Sequence, residues 1–130
     1  MNEKWIRVLF IIAGIYDGLL GLVFLFMPEA IFAFYEVIPP NHMAYVEFPA
    51  FLLIIFAIMF FRVATDPVRF RELMLFGAGL KFAYCSLVFK YTMTEGVPVM
   101  WIPWAWIDLV FLVAFLLAWN SARKLAASGE

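Results

Sequence analysis

Four long apolar stretches, separated by shorter segments that contain proline or charged residues, set the pattern of this chain. The stretches cover approximately residues 5–27, 45–62, 70–92 and 101–120. Each falls within the roughly 17–25 residues that a transmembrane α-helix needs. The pattern therefore predicts an all-α integral membrane protein, with one domain over residues 1–130 in which four helices form an up-down-up-down bundle.

Proline residues mark the breaks between these stretches. Pro28 closes the first stretch, and the Pro-Pro pair at 39–40 lies in the long connection that follows. Proline lacks the N–H group that a helix interior uses, so it favours ends and connections. Ahead of the third stretch, Thr65 or Asp66 is the predicted N-cap, with Pro67 at the first helical position.

The first stretch is expected to remain in the protein as a helix. Lys4 and Arg7 precede it, as basic residues precede the core of a signal peptide. It is longer than such a core of about 7–15 residues, contains Asp17, and ends in FMPEA without an A-x-A cleavage pattern.

Composition agrees with a chain surrounded by lipid. Of the 130 residues, 67% are hydrophobic and 15% are charged, whereas soluble domains are about 45–50% apolar. A chain this short has much surface for its volume, so the surplus apolar surface must face something other than water. The net charge of −1, without a basic cluster, argues against a nucleic-acid partner. The single Cys85 excludes an internal disulfide and a CxxC metal site.

Charge asymmetry between the connections predicts the orientation. One side of the predicted bundle carries Lys4, Arg7, Arg62, Arg69, Arg71, Arg123 and Lys124. The other side carries Lys90 together with Glu29, Glu36, Glu47 and Glu95. Basic residues favour the cytoplasmic side of a membrane. We therefore expect a multi-pass membrane protein with both termini and the 63–69 connection in the cytoplasm.

Three ionisable residues lie near the middle of three different stretches. A rise of about 1.5 Å per residue places Asp17 and Lys81 near the midplane and Asp108 slightly outward. Facing lipid, each would cost several kcal/mol, so they should point inward and pair. We expect Lys81 to bridge Asp17 and Asp108 and to tie the first, third and fourth spans together. The small residues at 13–21 of the first span allow a close helix approach.

These charges define the candidate site. A cavity between helices, apolar with a few polar anchors, is a common ligand site. The predicted ligand-binding residues are Asp17, Glu47, Lys81, Tyr84, Trp104 and Asp108. Lys81 would orient a carbonyl or hydroxyl group of a quinone, isoprenoid or lipid. The alternative is an ion bridge that only fixes the register of the helices.

Three segments of the chain resemble a known group of proteins. They are GIYDGLLGLVFLFMPEA, the PPN at 39–41, and ATDPVRFRELMLFGAGLK at 64–81. Their order resembles small, mostly uncharacterised bacterial four-helix membrane proteins that are loosely grouped with DoxX-like proteins. The resemblance implies an inner-membrane bundle and, because some DoxX-like proteins associate with membrane redox complexes, a quinone or an electron-transfer partner. Asp17 stands where the resemblance leads us to expect Asn.

Other functions stay open at this point. As an enzyme acting on a lipid-soluble substrate, such as an isomerase, the protein would use Asp108 and Glu47 as acid and base. The charged residues could also form part of a proton path. His42 and Met43, with Met93 and Met100, are weak candidates for copper because their spacing matches no motif. No cofactor follows from the sequence, and the partner could be a membrane complex or a second copy of the chain.

Overall fold

The computed structural model describes residues 1–129 and consists of helices joined by short connections. In chain order the helices are α1 (Glu3–Phe26), α2 (Pro28–Phe34), α3 (Ala44–Thr65), α4 (Arg71–Thr94) and α5 (Trp101–Ser128). Four of them, α1, α3, α4 and α5, are long and apolar enough to cross a membrane. The prediction of an all-α chain with four membrane-length helices is confirmed.

The ends of the helices differ from the prediction at two places. Thr65 is the last residue of α3 rather than an N-cap, and α4 begins only at Arg71. Between them the chain turns, and the Asp66 carboxylate accepts the N–H of Arg69 at 3.3 Å within that turn. At the other end of the chain, α5 continues past residue 120 to Ser128. Ala, Arg, Lys and Leu at 122–127 are strong helix formers, so the helix outlasts its apolar stretch.

The small residues of α1 pack closely against α3. A Cβ atom added to Gly21 would lie 2.8 Å from the carbonyl oxygen of Ala50, and one added to Gly18 would lie 3.4 Å from Cβ of Ala57. Contact positions rise along α1 as they fall along α3, so this pair is antiparallel. Glycine at these positions brings the two backbones together, as the sequence predicts.

The half of the bundle that contains the chain termini has a densely packed aromatic core. The rings of Phe10 and Phe115 stack with centroids 4.6 Å apart, and Phe60 lies 5.8 Å from Phe10 and 5.1 Å from Phe115. All three side chains are fully buried. The same cluster includes Ile6, Ala13, Val63, Ala64, Met74, Ala78, Phe111, Ala118 and Ala122. This half of the interior is therefore filled by side chains.

Large apolar side chains cover the outside of the four long helices. Examples are Leu19 on α1, Ile55 on α3, Phe76 on α4 and Val110 on α5, each more than half exposed. Such an extensive apolar surface is unfavourable in water but suits contact with lipid. The apolar outer surface and the length of the helices together indicate an integral membrane protein.

Candidate functional site

Three charged side chains from three helices meet in the interior. Lys81 of α4 donates hydrogen bonds to Oδ1 and Oδ2 of Asp17 on α1, each at 2.8 Å, and to Oδ1 of Asp108 on α5 at 3.0 Å. This ion triad (Asp17, Lys81 and Asp108) confirms the predicted bridge between the first, third and fourth spans. Charge-assisted hydrogen bonds of this length are among the strongest in proteins.

The Lys81 ammonium has no donor left for a further partner. An ammonium group carries three N–H donors, and the two aspartates accept all three. The rings of Tyr16 and Phe111 also lie 5.4 Å and 5.1 Å from Nζ, within the range of a cation–π interaction. Lys81 is thus enclosed by carboxylates and aromatic rings.

A cavity of about 650 Å³ occupies the half of the bundle that lies away from the termini. Its walls come from the later parts of α1 and α4, the first parts of α3 and α5, Phe32 of α2, and the connections around residues 37–40 and 98–100. Cavities of about 300–1,000 Å³ with mainly apolar walls are typical of small-molecule sites. Size and lining therefore make this cavity the candidate binding site.

The two carboxylates of the triad face this cavity, and the ammonium lies behind them. Asp17 and Asp108 are among the residues that line the cavity, whereas Lys81 is not. The side chain of Asp108 is 11% exposed, against 1% for Asp17 and for Lys81. Lys81, which was expected to orient a ligand group directly, therefore does not reach the cavity, whereas Asp108 does.

Two further predicted site residues also lie in the cavity wall. Tyr84 lines the cavity and donates its hydroxyl hydrogen to the carbonyl oxygen of Trp101 at 3.0 Å. Trp104 lines the cavity and meets the ring of Phe24 edge-on at a centroid distance of 5.5 Å. Trp104 also borders a smaller adjoining hollow of about 300 Å³. The structure thus brings Asp17, Tyr84, Trp104 and Asp108 together around one space.

Glu47 is not brought to this cavity. It lies in the first turn of α3, is exposed to the surroundings, and is not a lining residue. Of the two candidate acid–base residues, Asp108 therefore lines the cavity and Glu47 does not.

The candidate copper ligands are also separated from the triad. Nδ1 of His42 accepts the N–H of Ala44 at 3.0 Å, which stabilises the start of α3. Met93 is 85% exposed, whereas Met100 is buried in the cavity wall. Within residues 1–129, no group of three His, Cys, Asp or Glu side chains is arranged to hold a metal ion. His42 and Met43 immediately precede α3, and the His42 ring binds the N–H group of its first residue, Ala44.

Tyr16 is a site residue that the sequence did not single out. Its side chain lines both the cavity and the smaller hollow. Its hydroxyl group is buried and has no hydrogen-bond partner within the described residues. The sequence held one indication of this role: Tyr16 directly precedes Asp17, a charged residue near the membrane midplane.

Comparisons with known proteins provide no relative for this arrangement. No family model, curated protein or solved structure matches the chain. The resemblance to DoxX-like proteins therefore stays a prediction, and the function has to be inferred from the cavity and the ion triad.

Proposed function

We propose that this protein is a small membrane binding protein that holds one lipid-soluble, amphipathic molecule. The polar head of the molecule would lie against the carboxylates of the ion triad, and its apolar body would lie along the cavity walls. The observation that carries this proposal is the apolar cavity of about 650 Å³ that ends on two carboxylates. Ligand sites commonly combine an apolar lining with a few polar groups that fix orientation.

The contrast between the two halves of the bundle supports binding over a purely structural role. On the terminal side of the triad, Phe10, Phe60 and Phe115 are fully buried and pack against one another in the interior. On the other side the interior is open, although the chain is rich in large apolar residues that could have filled it. An ion bridge that only fixed helix register would be equally effective with side chains packed on both sides.

The proposed orientation places the cavity toward the outer side of the membrane. In an up-down-up-down bundle both termini would share one face with the 63–69 connection. That face would carry the basic residues Lys4, Arg7, Arg62, Arg69, Arg71, Arg123 and Lys124. The positive-inside rule makes that face cytoplasmic. In a bacterial inner membrane, ligands would then enter from the outer leaflet or the outer surface.

The acid–base enzyme and the proton path receive less support from the geometry. An enzyme that uses Glu47 would need that side chain in the cavity, where it does not lie. A proton path would need polar groups beyond the triad, yet the buried charged side chains of residues 1–129 are Asp17, Lys81 and Asp108. Between the triad and the end of the bundle that contains the termini, the stacked aromatic core occupies the interior.

Photo-crosslinking in lipid nanodiscs tests the binding proposal. The probes are a long-chain alcohol and a quinone, each with a photoreactive group on its alkyl chain. We expect labelling of the lining residues Leu20, Leu53 and Val88 that falls when unlabelled probe is added. Labelling of the outward residues Leu19 and Val110 should not fall, because contact with bulk lipid does not saturate.

Two results decide the test. Competition at the lining residues alone supports a binding site. Labelling that never saturates at the lining residues, for either probe, contradicts the proposed function.

A further inference from the structure

We propose that the cavity selects a single-chain molecule with a protonated amine head, and that Asp108 is the residue that contacts it. This inference rests on the proposed binding function and specifies the class of ligand. It follows from the charge of the triad, the hydrogen bonds of its members and the surroundings of the cavity.

The charge of the ion triad is unbalanced. When its three members are ionised, Lys81 supplies one positive charge and the two aspartates supply two negative charges. The triad therefore carries one net negative charge in a largely apolar interior, where an uncompensated charge is unfavourable. A ligand with one positive charge would complete the balance.

The uncompensated charge lies on Asp108 rather than on Asp17. Both oxygens of Asp17 accept hydrogen bonds from Lys81, each at 2.8 Å. Lys81 bonds only Oδ1 of Asp108, at 3.0 Å, and Oδ2 has no hydrogen-bond partner within residues 1–129. The residue is 8% exposed and lines the cavity. Asp108 thus presents a carboxylate oxygen without a hydrogen-bond partner to the open space.

The other polar group at this depth also lacks a partner. The Tyr16 hydroxyl is buried without a hydrogen bond within the described residues, and Tyr16 lines the same cavity. A primary ammonium has three donors, so it can satisfy the Asp108 oxygen and the Tyr16 oxygen together. A hydroxyl head can also bond both groups, donating to Asp108 and accepting from the Tyr16 hydroxyl, so the preference for an amine rests on its charge.

The aromatic wall and the charges outside it favour the same head group. Trp101 and Trp104 line the cavity, and indole faces attract ammonium groups. The connections and helix ends around the cavity carry the exposed residues Glu29, Glu36, Glu47, Glu95 and Lys90. An acidic rim of this kind raises the local concentration of cations. A carboxylic acid would be repelled by the rim and by Asp108.

Three competitors with the same chain and different heads test the inference. Dodecylamine, dodecanol and dodecanoic acid compete with the photoreactive alcohol in phosphatidylcholine nanodiscs, and each concentration is corrected for measured partition into the bilayer. We expect the amine to halve labelling of the lining residues at about one tenth of the alcohol concentration, which corresponds to roughly 1.4 kcal/mol. The acid should be the weakest competitor.

Two variants locate the effect. Asp108→Asn removes the charge and keeps the shape, and should bring the amine and the alcohol to within about threefold of each other. Glu72→Gln removes an exposed charge from the first turn of α4, at the opposite end of the bundle, and should keep the amine preference. If Asp108→Asn does not fold, the ranking of the three competitors on the unaltered protein still decides whether the cavity prefers an amine.

The outcomes separate this inference from the binding function beneath it. Equal competition by amine and alcohol on the unaltered protein overturns the amine preference and leaves the binding site in place. An amine preference that persists in folded Asp108→Asn overturns the assignment to Asp108. Absence of competition by all three molecules overturns the inference, and it overturns the proposed function as well when labelling by the quinone probe also fails to saturate.

Discussion

Lys81 on α4 donates to both carboxylate oxygens of Asp17 on α1, each at 2.8 Å, across 64 residues of sequence. In the bundle α1 packs closely on α3, and α4 packs closely on α5. The ion pair therefore joins two closely packed helix pairs at the level where the aromatic core ends and the cavity begins. Stability and binding should both depend on this junction.

Replacing Lys81 by Met should strongly destabilise the protein. The change leaves two buried carboxylates without a counter-charge, and removal of one partner from a buried ion pair costs about 3–5 kcal/mol. The free energy of unfolding can be measured by titrating the purified protein from mild detergent into SDS. Adding Asp17→Asn to this variant should restore part of the loss, because one unpaired charge is then removed.

Lys90→Met is the matched control for that change. The Lys90 side chain is exposed and lies 5.1 Å from the ring of Tyr91. Its removal should alter the free energy of unfolding by less than about 0.5 kcal/mol. Similar losses for the two variants would show that the buried position of Lys81 is not what matters.

Two Gly→Ala changes should have opposite effects on stability. At Gly21 the added Cβ would lie 2.8 Å from the backbone oxygen of Ala50 and 2.9 Å from Cγ1 of Ile54, so α1 and α3 must separate. Overpacking of this kind costs about 1–3 kcal/mol. At Gly79 no atom lies within 4 Å of the added Cβ. There the better helix propensity of alanine should leave stability unchanged or raise it by up to about 1 kcal/mol.

Thermal unfolding in detergent compares these two glycine variants directly. A Gly21→Ala protein as stable as the unaltered one would mean that α1 and α3 are farther apart than the structure places them.

Filling the cavity should reduce ligand binding without unfolding the protein. Leu53 lies in the cavity wall, and Leu53→Trp extends a larger side chain into the open space. We expect saturable labelling by the photoreactive alcohol to need roughly tenfold more probe. Ile55→Trp is the matched control, because Ile55 lies on the same helix, is 57% exposed and does not line the cavity. Equal effects of the two changes would place the ligand elsewhere.

Glu47→Gln should change neither stability nor binding appreciably. The carboxylate is exposed in the first turn of α3 and lies outside the cavity, so stability should stay within about 0.5 kcal/mol. Competition by dodecanol at the lining residues is the second measurement. A clear loss of competition would mean that Glu47 reaches the ligand. That result would support the alternative hypothesis of an enzyme in which Glu47 and Asp108 act as acid and base.

Much of the scaffold and the centre of the site could be predicted from the sequence. The rise of an α-helix is constant, so counting from the ends of the spans placed Asp17, Lys81 and Asp108 at similar depth. The high cost of a lone charge in lipid then fixed their mutual pairing. The depth and the charge of a residue depend only on its own span, so both could be predicted from the sequence.

For weakly amphipathic helices, the side of the helix that faces the interior could not be predicted in the same way. The sequence of α3 is apolar on nearly all sides, so it carries little information about which side faces inward. Glu47 was therefore expected near the ligand but lies on the outside. The cavity itself depends on how α2 and the connections at 37–40 and 98–100 close one end of the bundle. That arrangement is a tertiary property, and no local pattern encodes it.

The pairing of Lys81 with Asp17 also has a consequence for how the chain is made. Lysine or aspartate at the centre of an isolated helix opposes insertion by about 2.5–3.5 kcal/mol, and α4 is the least hydropathic of the four long helices. Asp17 is synthesised before Lys81, so α1 and its carboxylate are in the membrane before α4 inserts. Asp17→Leu should therefore lower the inserted fraction of α4 in a truncated nascent chain that ends after Thr94, and an unchanged fraction would contradict this dependence. The order of the charges along the chain would then guide assembly: Lys81 of α4 meets Asp17, and Asp108 of α5 meets Lys81, each charge pairing with one inserted before it.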